Sequence, residues 1–373
     1  MKIIPINAPK IIMSNPTGKH NYFAWPTAAR LKNGKLAVVA SGFRIRHICP
    51  FGKAVIAFSE DEGEHYTLPA PVIDTPLDDR DGGVLSFGEN GVIVTSFNNT
   101  LAFQRKMAET SHTKAYRLVY LDTVTQEEED DYLGSTFRVS FDGGITFGKI
   151  HKSPVTSPHG PLERKNGEIV WVGRSFLCKS SVEKEDRICA YRLDPHSGNM
   201  TYLGCIEGVA LQGEKQVSCE PHAIELADGT LLCHIRVQSP RSDRMELFTT
   251  YQSTSRDGGV TWSKPEPLLS ALGGAPAHIL RHSSGVLISV YGFRGSPYGV
   301  KPFGIKAMLS RDNGRTWETD HVIYTNEASA DLGYPSTVEL SNGSLATVFY
   351  AKGIEGNTAV IMQQNWKLEE REI

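Results

Sequence analysis

Ser255-Arg256-Asp257-Gly258-Gly259-Val260-Thr261-Trp262 decides the fold. It reads Ser-x-Asp-x-Gly-x-x-aromatic, and the same spacing recurs at Ser59–Tyr66, Ser140–Phe147 and Ser310–Trp317. Copies follow short apolar runs such as Ala54-Val55-Ile56-Ala57-Phe58 and Ile305-Lys306-Ala307-Met308-Leu309. That context places each copy at a β-hairpin turn, where Asp hydrogen-bonds the turn backbone and Gly supplies a positive φ. The aromatic folds back between strands. These are turn formers, so the copies report on the fold and carry no chemistry themselves.

A second pattern counts the units. Apolar residues lead into Asn-Gly, Asp-Gly or Ser-Gly and then an apolar strand, with glycines at 34, 91, 167, 229, 285 and 343, spaced 56 to 76 residues apart. Such a period, with several strands per unit, predicts an all-β, six-bladed propeller of four-stranded antiparallel blades formed by residues 1–373 as one domain. The third unit carries a degenerate copy of the octapeptide at Leu193–Gly198. The sixth has none and lacks an outer strand, which Lys10-Ile11-Ile12-Met13 is expected to supply, leaving no free edge. Residues 101–134 form an insertion between the second and third strands of blade two. It includes Glu127-Glu128-Glu129-Asp130-Asp131 and is expected as a lid or a solvated loop on the funnel face.

Composition narrows the partners. With 40% hydrophobic residues, 22% charged residues and a net charge of −3, the 373-residue chain reads as globular, without a general attraction to nucleic acid or an anionic membrane. No apolar run is long enough to span a bilayer, and the start shows no signal peptide. The six cysteines, 49, 178, 189, 205, 219 and 233, have no zinc spacing and read as buried reduced thiols, which fits a cytoplasmic protein.

Chemistry concentrates where the innermost strands begin and their partners end. The starts read Trp25-Pro26, Arg80-Asp81-Gly82, Pro158-His159-Gly160, Glu220-Pro221-His222, Pro276-Ala277-His278 and Tyr334-Pro335. The ends contribute Arg44, Arg46, His47, Arg174, Arg236, Arg294 and Lys352. Recurrent arginine in a slightly acidic chain points to a carboxylate or other anion, held by guanidinium forks. Trp25, Tyr334 and Tyr298 offer faces for a sugar ring. His159, His222 and His278 share one register and are candidate proton-transfer or substrate-binding groups. No H-x-H or H-E-x-x-H spacing supports a metal, and no cofactor is expected.

The octapeptides resemble the Asp-box of the sialidase superfamily, and the resemblance covers nearly the whole chain. It implies an exo-glycoside hydrolase acting on an acidic oligosaccharide or glycoconjugate. In that family a Tyr paired with a Glu is the nucleophile, three Arg bind the substrate carboxylate and an Asp is the acid. Tyr334, Glu220 and, sixteen residues later, Arg236 match. Ala24-Trp25-Pro26 stands where the family has Arg-Ile-Pro. Arg44, Arg294 and Lys301 are left to complete the cationic cradle, and His47 or Asp81 to act as the acid. These departures mark a divergent branch. A hydrolase or lyase for uronic-acid glycans, using His and Tyr, and a non-catalytic carbohydrate-binding propeller are the alternatives.

Overall fold

The computed structural model describes residues 1–177, 181–183, 185–241, 245–354 and 358–370. Cys178 lies outside them. Six antiparallel blades surround a central axis. Their innermost strands are Tyr22–Arg30, Arg80–Phe87, Leu162–Glu163, Val217–Glu225, Ala277–Arg281 and Leu332–Glu339. Both faces of a blade are covered by its neighbours, so the middle strands read as nearly continuous apolar runs. Leu345–Ala351 is buried along its whole length, and so is Leu287–Phe293.

Blade six closes the ring. Its third strand, Val360–Glu369, pairs antiparallel with both Lys10–Met13 and Lys2–Pro5. The expected strand is present, and an earlier one joins it. Each octapeptide links the third and fourth strands of its blade. In the copy at 255–262, Ser255 Oγ accepts from Gly259 N at 2.8 Å and donates to Asp257 Oδ1 at 2.8 Å. Asp257 then accepts from Thr261 N and Oγ1 at 2.9 and 2.6 Å. These bonds hold the Asp257 carboxyl at about 2. Gly259 needs its φ of +103°, and Trp262 Nε1 donates to the Gly259 carbonyl at 3.0 Å.

Three expectations change. In blade two the left-handed turn glycine is Gly88, at φ +51°, and Gly91 begins the next strand. The insertion is neither an irregular loop nor a simple flap. It is three helices: α1 (Leu101–Glu109), α2 (Lys114–Leu121) and α3 (Gln126–Tyr132). The acidic run forms α3, which buries no residue and is started by a Thr125–Glu128 capping box. Tyr116 and Tyr120 of α2 pack on Phe51 of blade one, each with ring centroids 4.9 Å away. Finally, Cys189 and Cys205 form a disulfide between adjacent strands of blade three, whereas Cys49, Cys219 and Cys233 are free and buried. The cysteines therefore carry no argument for a reducing compartment.

Candidate active site

The site is built by one backbone irregularity used four times. The ladder between the first two strands slips between Ala24 and Thr27, Arg80 and Gly83, Cys219 and His222, and Gly333 and Ser336. Within the slips, Trp25, Asp81, Glu220 and Tyr334 adopt φ values of 55°, 46°, 49° and 50°. Left-handed backbone costs a non-glycine residue about 1–2 kcal/mol, and bulges of this kind re-aim side chains. Here they gather groups from separate blades at one end of the axis.

Tyr334 Oη donates to Glu220 Oε1 at 2.5 Å. Arg236 Nη1 donates to Glu220 Oε2 at 2.7 Å and lies 3.3 Å from Tyr334 Oη. Burial, then the Glu220 and Asp81 charges, push the Tyr334 phenol well above its ordinary value, so it is a neutral donor. The guanidinium carbons of Arg236 and Arg294 lie 4.7 and 5.3 Å from the Phe248 ring centroid. Arg236 is compensated by Glu220. Arg294 is not: its Nη atoms donate to Tyr298 Oη at 3.1 Å and Tyr350 Oη at 3.4 Å, and among the described residues it has no carboxylate partner. Tyr350 in turn donates to Asp331 at 2.6 Å, and Lys352 pairs with Asp331 at 2.5 Å.

Asp81 is 6% exposed. Burial raises its carboxyl to about 7, Arg80 opposes the rise, and the Glu220 charge adds to it. It lines a cavity of about 90 Å³ together with Phe97, Pro158, Arg174, Phe176 and Glu220.

Other sequence candidates are placed differently. Arg44 is fully buried, paired with Asp78 at 2.6 Å behind the site, and does not join the cradle. Trp25 is 1% exposed, covered by Arg80 at 4.2 Å from its ring centroid, and offers no free face to a sugar. His47 is exposed at its outer edge, but its ring nitrogens turn inward. Nε2 lies 3.3 Å from Arg80 Nη2 and Nδ1 lies 3.4 Å from Tyr22 Oη. Desolvation and the Arg80 charge hold it far below the usual imidazole range, so near neutrality it is a neutral imidazole without the imidazolium proton that an acid would give. Lys301 pairs with Glu327 at 3.2 Å in an exposed position. Arg174 reaches the wall of the Asp81 cavity, anchored to Asp186 at 2.6 Å.

The three histidines do meet, but with one another. His159, His222 and His278 have ring centroids 4.3 to 5.5 Å apart, and no hydrogen bond or ring contact joins them to Tyr334 or Glu220 among the described residues. They line a cavity running to the other end of the axis, beside Arg30, Glu163 and Glu339. Backbone N–H groups fix two tautomers. His222 Nδ1 accepts from Ile279 N at 2.9 Å and His278 Nδ1 from Thr337 N at 3.4 Å, which leaves the proton on each Nε2. For either Nε2 to ligate a metal its proton would have to move to Nδ1, at the loss of the backbone bond there.

Burial keeps all three imidazoles below their ordinary value; His222 and the nearby His234 are lowered to about 3. A depressed histidine contributes fully above the unfolded value of about 6.5 and loses that contribution as the pH falls below it. The unfolding free energy from urea melts should therefore drop between pH 6.5 and 4, by up to about 1.4 kcal/mol per pH unit for each such histidine. His222→Gln should remove about one proton from that slope; an unchanged slope would show that His222 titrates normally.

Sequence reasoning placed Arg80 and Tyr350 at strand termini without giving either a role, and it missed Phe248, Asp331 and Gln238, whose Oε1 accepts from Arg236 Nε at 2.8 Å. Tyr350 ends a second strand in the register of Arg236 and Arg294, which was a usable signal. Phe248 and Asp331 have no such pattern.

The blades and their boxed turns define a six-bladed β-propeller, with the Tyr334–Glu220–Arg236 group at one end of its axis. The model of the BNR repeat-like domain family matches residues 88–347, and the chain belongs to that family. Among solved structures it is similar to a protein of unknown function from Dyadobacter fermentans, with a TM-score of 0.75, 18% identity and coverage of 98% of this chain and 99% of that one. It is also similar to the NanB sialidase of Streptococcus pneumoniae, with a TM-score of 0.66, 12% identity and coverage of 97% and 71%. The alpha-L-arabinanase of Penicillium chrysogenum, complexed with arabinobiose, follows at 0.60, 13%, and 100% and 99%. No curated protein matches the chain. At these identities the likeness speaks for the fold.

Proposed function

We propose that the chain is an exo-acting glycoside hydrolase that removes a terminal acidic sugar, sialic acid being the first candidate. The 2.5 Å bond from Tyr334 to Glu220 carries this reading. A phenol is a weak nucleophile until a base takes its proton, and Glu220 is in place to do so. Arg236 touches both groups and stabilises the negative charge as it moves from carboxylate to phenolate. A neutral phenol also approaches an anionic sugar without the repulsion a carboxylate nucleophile would meet.

In the first step Tyr334 Oη bonds to the anomeric carbon and its proton passes to Glu220. The bond to the leaving oxygen breaks, and that oxygen takes a proton from Asp81. In the second step water attacks the same carbon and gives its proton to the Asp81 carboxylate. The tyrosyl bond breaks and Glu220 returns the phenol proton. Asp81 suits the acid role better than His47, because burial keeps a proton on it near neutrality. The separation of the three histidines from Tyr334 supports hydrolysis over the lyase reading, and a paired nucleophile and base supports catalysis over binding alone.

Turnover of aryl sialoside and aryl glucuronide by the purified chain tests the proposal; inactivity on both would overturn it. Two further results are expected. The acid form of Asp81 is lost as pH rises through about 7, so kcat/KM should fall above that point. A profile flat from pH 6 to 9 would remove Asp81 as the acid. Arg294, without a carboxylate partner among the described residues, should hold the substrate carboxylate. Arg294→Ala should weaken binding of an acid sugar by about 2–3 kcal/mol, and the methyl ester of that sugar should bind poorly to the unaltered protein. Equal binding of acid and ester would sink the carboxylate cradle.

A further inference from the structure

Between blades three and four, on the funnel face, lies a cavity of about 250 Å³ that the steps above do not use. Its floor is aliphatic, with Ile188, Ile206, Val209 and Ile235 all buried. Its rim carries Glu185, Asp186 and Glu207 beside Arg187 and Lys215; Lys215 pairs with Glu185 at 3.5 Å and Asp186 with Arg174 at 2.6 Å, while the exposed Glu207 has no cation partner among the described residues. An unneutralised carboxylate over an apolar floor is an arrangement that hydroxyl groups on a ring can satisfy.

Two shared walls tie this cavity to the Tyr334 group. Arg174 lines the small cavity beside Asp81 and Glu220, while its partner Asp186 lines the larger one. Along the strand Val217–Glu225, Ser218 borders the larger cavity, and Cys219 and Glu220 border the small one. The donor sugar would rest against Tyr334, Arg236 and Arg294, from blades six, four and five. Its leaving oxygen must face Asp81, on blade two, to receive the proton. The leaving group therefore departs past Asp81 toward the small cavity, which adjoins blades two, three and four and shares the Arg174–Asp186 pair and the strand Val217–Glu225 with the larger cavity between blades three and four.

We propose that the larger cavity is a leaving-group subsite for a neutral sugar ring, a reading that rests on the glycosidase function above. The C–H face of the ring lies on the isoleucine floor, and its hydroxyls donate to Glu207. The two subsites differ in charge: the guanidinium groups of Arg236 and Arg294 attract the acid sugar, whereas the rim of the larger cavity balances its carboxylates with Arg187, Lys215 and Arg174 and has no excess of positive charge to hold one.

The test uses methyl-labelled isoleucine in the full chain, titrated with lactose as the neutral probe and with free sialic acid and glucuronate as acid probes. Lactose should shift the δ1 methyl signals of Ile188, Ile206 and Ile235, and the acids should leave them in place. In turnover, Glu207→Gln should lower kcat/KM for a sialyl-lactose donor roughly tenfold, through loss of one hydrogen bond to a charged acceptor, and leave a small aryl donor unchanged. Methyl signals unmoved by lactose, or moved equally by the acids, overturn the subsite. If lactose moves them while every acidic glycoside resists hydrolysis, the subsite stands as a sugar site and the reaction assigned to Tyr334 fails.

Discussion

Tyr334→Phe should leave a folded protein that turns over an aryl sialoside at least about 10³-fold more slowly than its parent, the order expected when a nucleophile acting as a unit with its base is removed. The substitution deletes one oxygen. It removes the donor to Glu220 at 2.5 Å but keeps the ring, whose centroid lies 6.4 Å from that of Trp25 and 6.0 Å from that of Tyr350. Glu220 keeps its ion pair with Arg236 at 2.7 Å, so no charge is left uncompensated. Thermal midpoints of parent and variant should therefore agree closely while kcat collapses. Parent-like kcat in the variant would remove Tyr334 as nucleophile.

The largest effect on stability should come from Asp78→Ala. Asp78 and Arg44 are both fully buried and paired at 2.6 Å, and Arg80 approaches the second Asp78 oxygen at 3.6 Å. The carboxylate also accepts from Cys49 N at 3.0 Å. Removing it strands buried guanidinium charge, which costs about 3–5 kcal/mol. Urea melts should read that loss directly. Replacing both partners by apolar residues, as in Arg44→Met with Asp78→Leu, should recover much of it, because the desolvation cost disappears with the charges. A loss below about 1 kcal/mol in Asp78→Ala would mean that water reaches the pair.

Blade count was legible because its signals are local: an Asp that closes its own turn, and a glycine that its turn requires. Tyr334, Glu220 and Arg236 were legible because strands of one unit start and end at common heights. The same logic misled at Arg44. It ends a strand at the right height, but its partner Asp78 lies in another blade's lead-in, and pairing across such a gap leaves no periodic trace. Trp25 shares the backbone twist of Tyr334 yet is sealed by Arg80, a contact set by packing between blades. The disulfide shows how near a local signal can come. Counting back from the turn after Leu193 pairs Cys189 with Gly204, and only the irregularity between Ala190 and Tyr191 moves the partner to Cys205.

The manner of ring closure bears on how the protein is made. Lys2 pairs with Glu369 and Lys10 with Gln363, so both segments leave the ribosome roughly 350 residues before the strand they join. At about 5–20 residues per second the interval is tens of seconds. Throughout it Ile3, Ile4, Ile11 and Ile12 have no edge to join, and blade one has no blade six to cover its flank. Earlier blades can form as they emerge, but the ring cannot close until the strand Val360–Glu369 has left the ribosome. Nascent chains stalled before residue 360 should be protease-sensitive at their first residues and should recruit holdase chaperones, a vulnerability that the mature protein no longer shows.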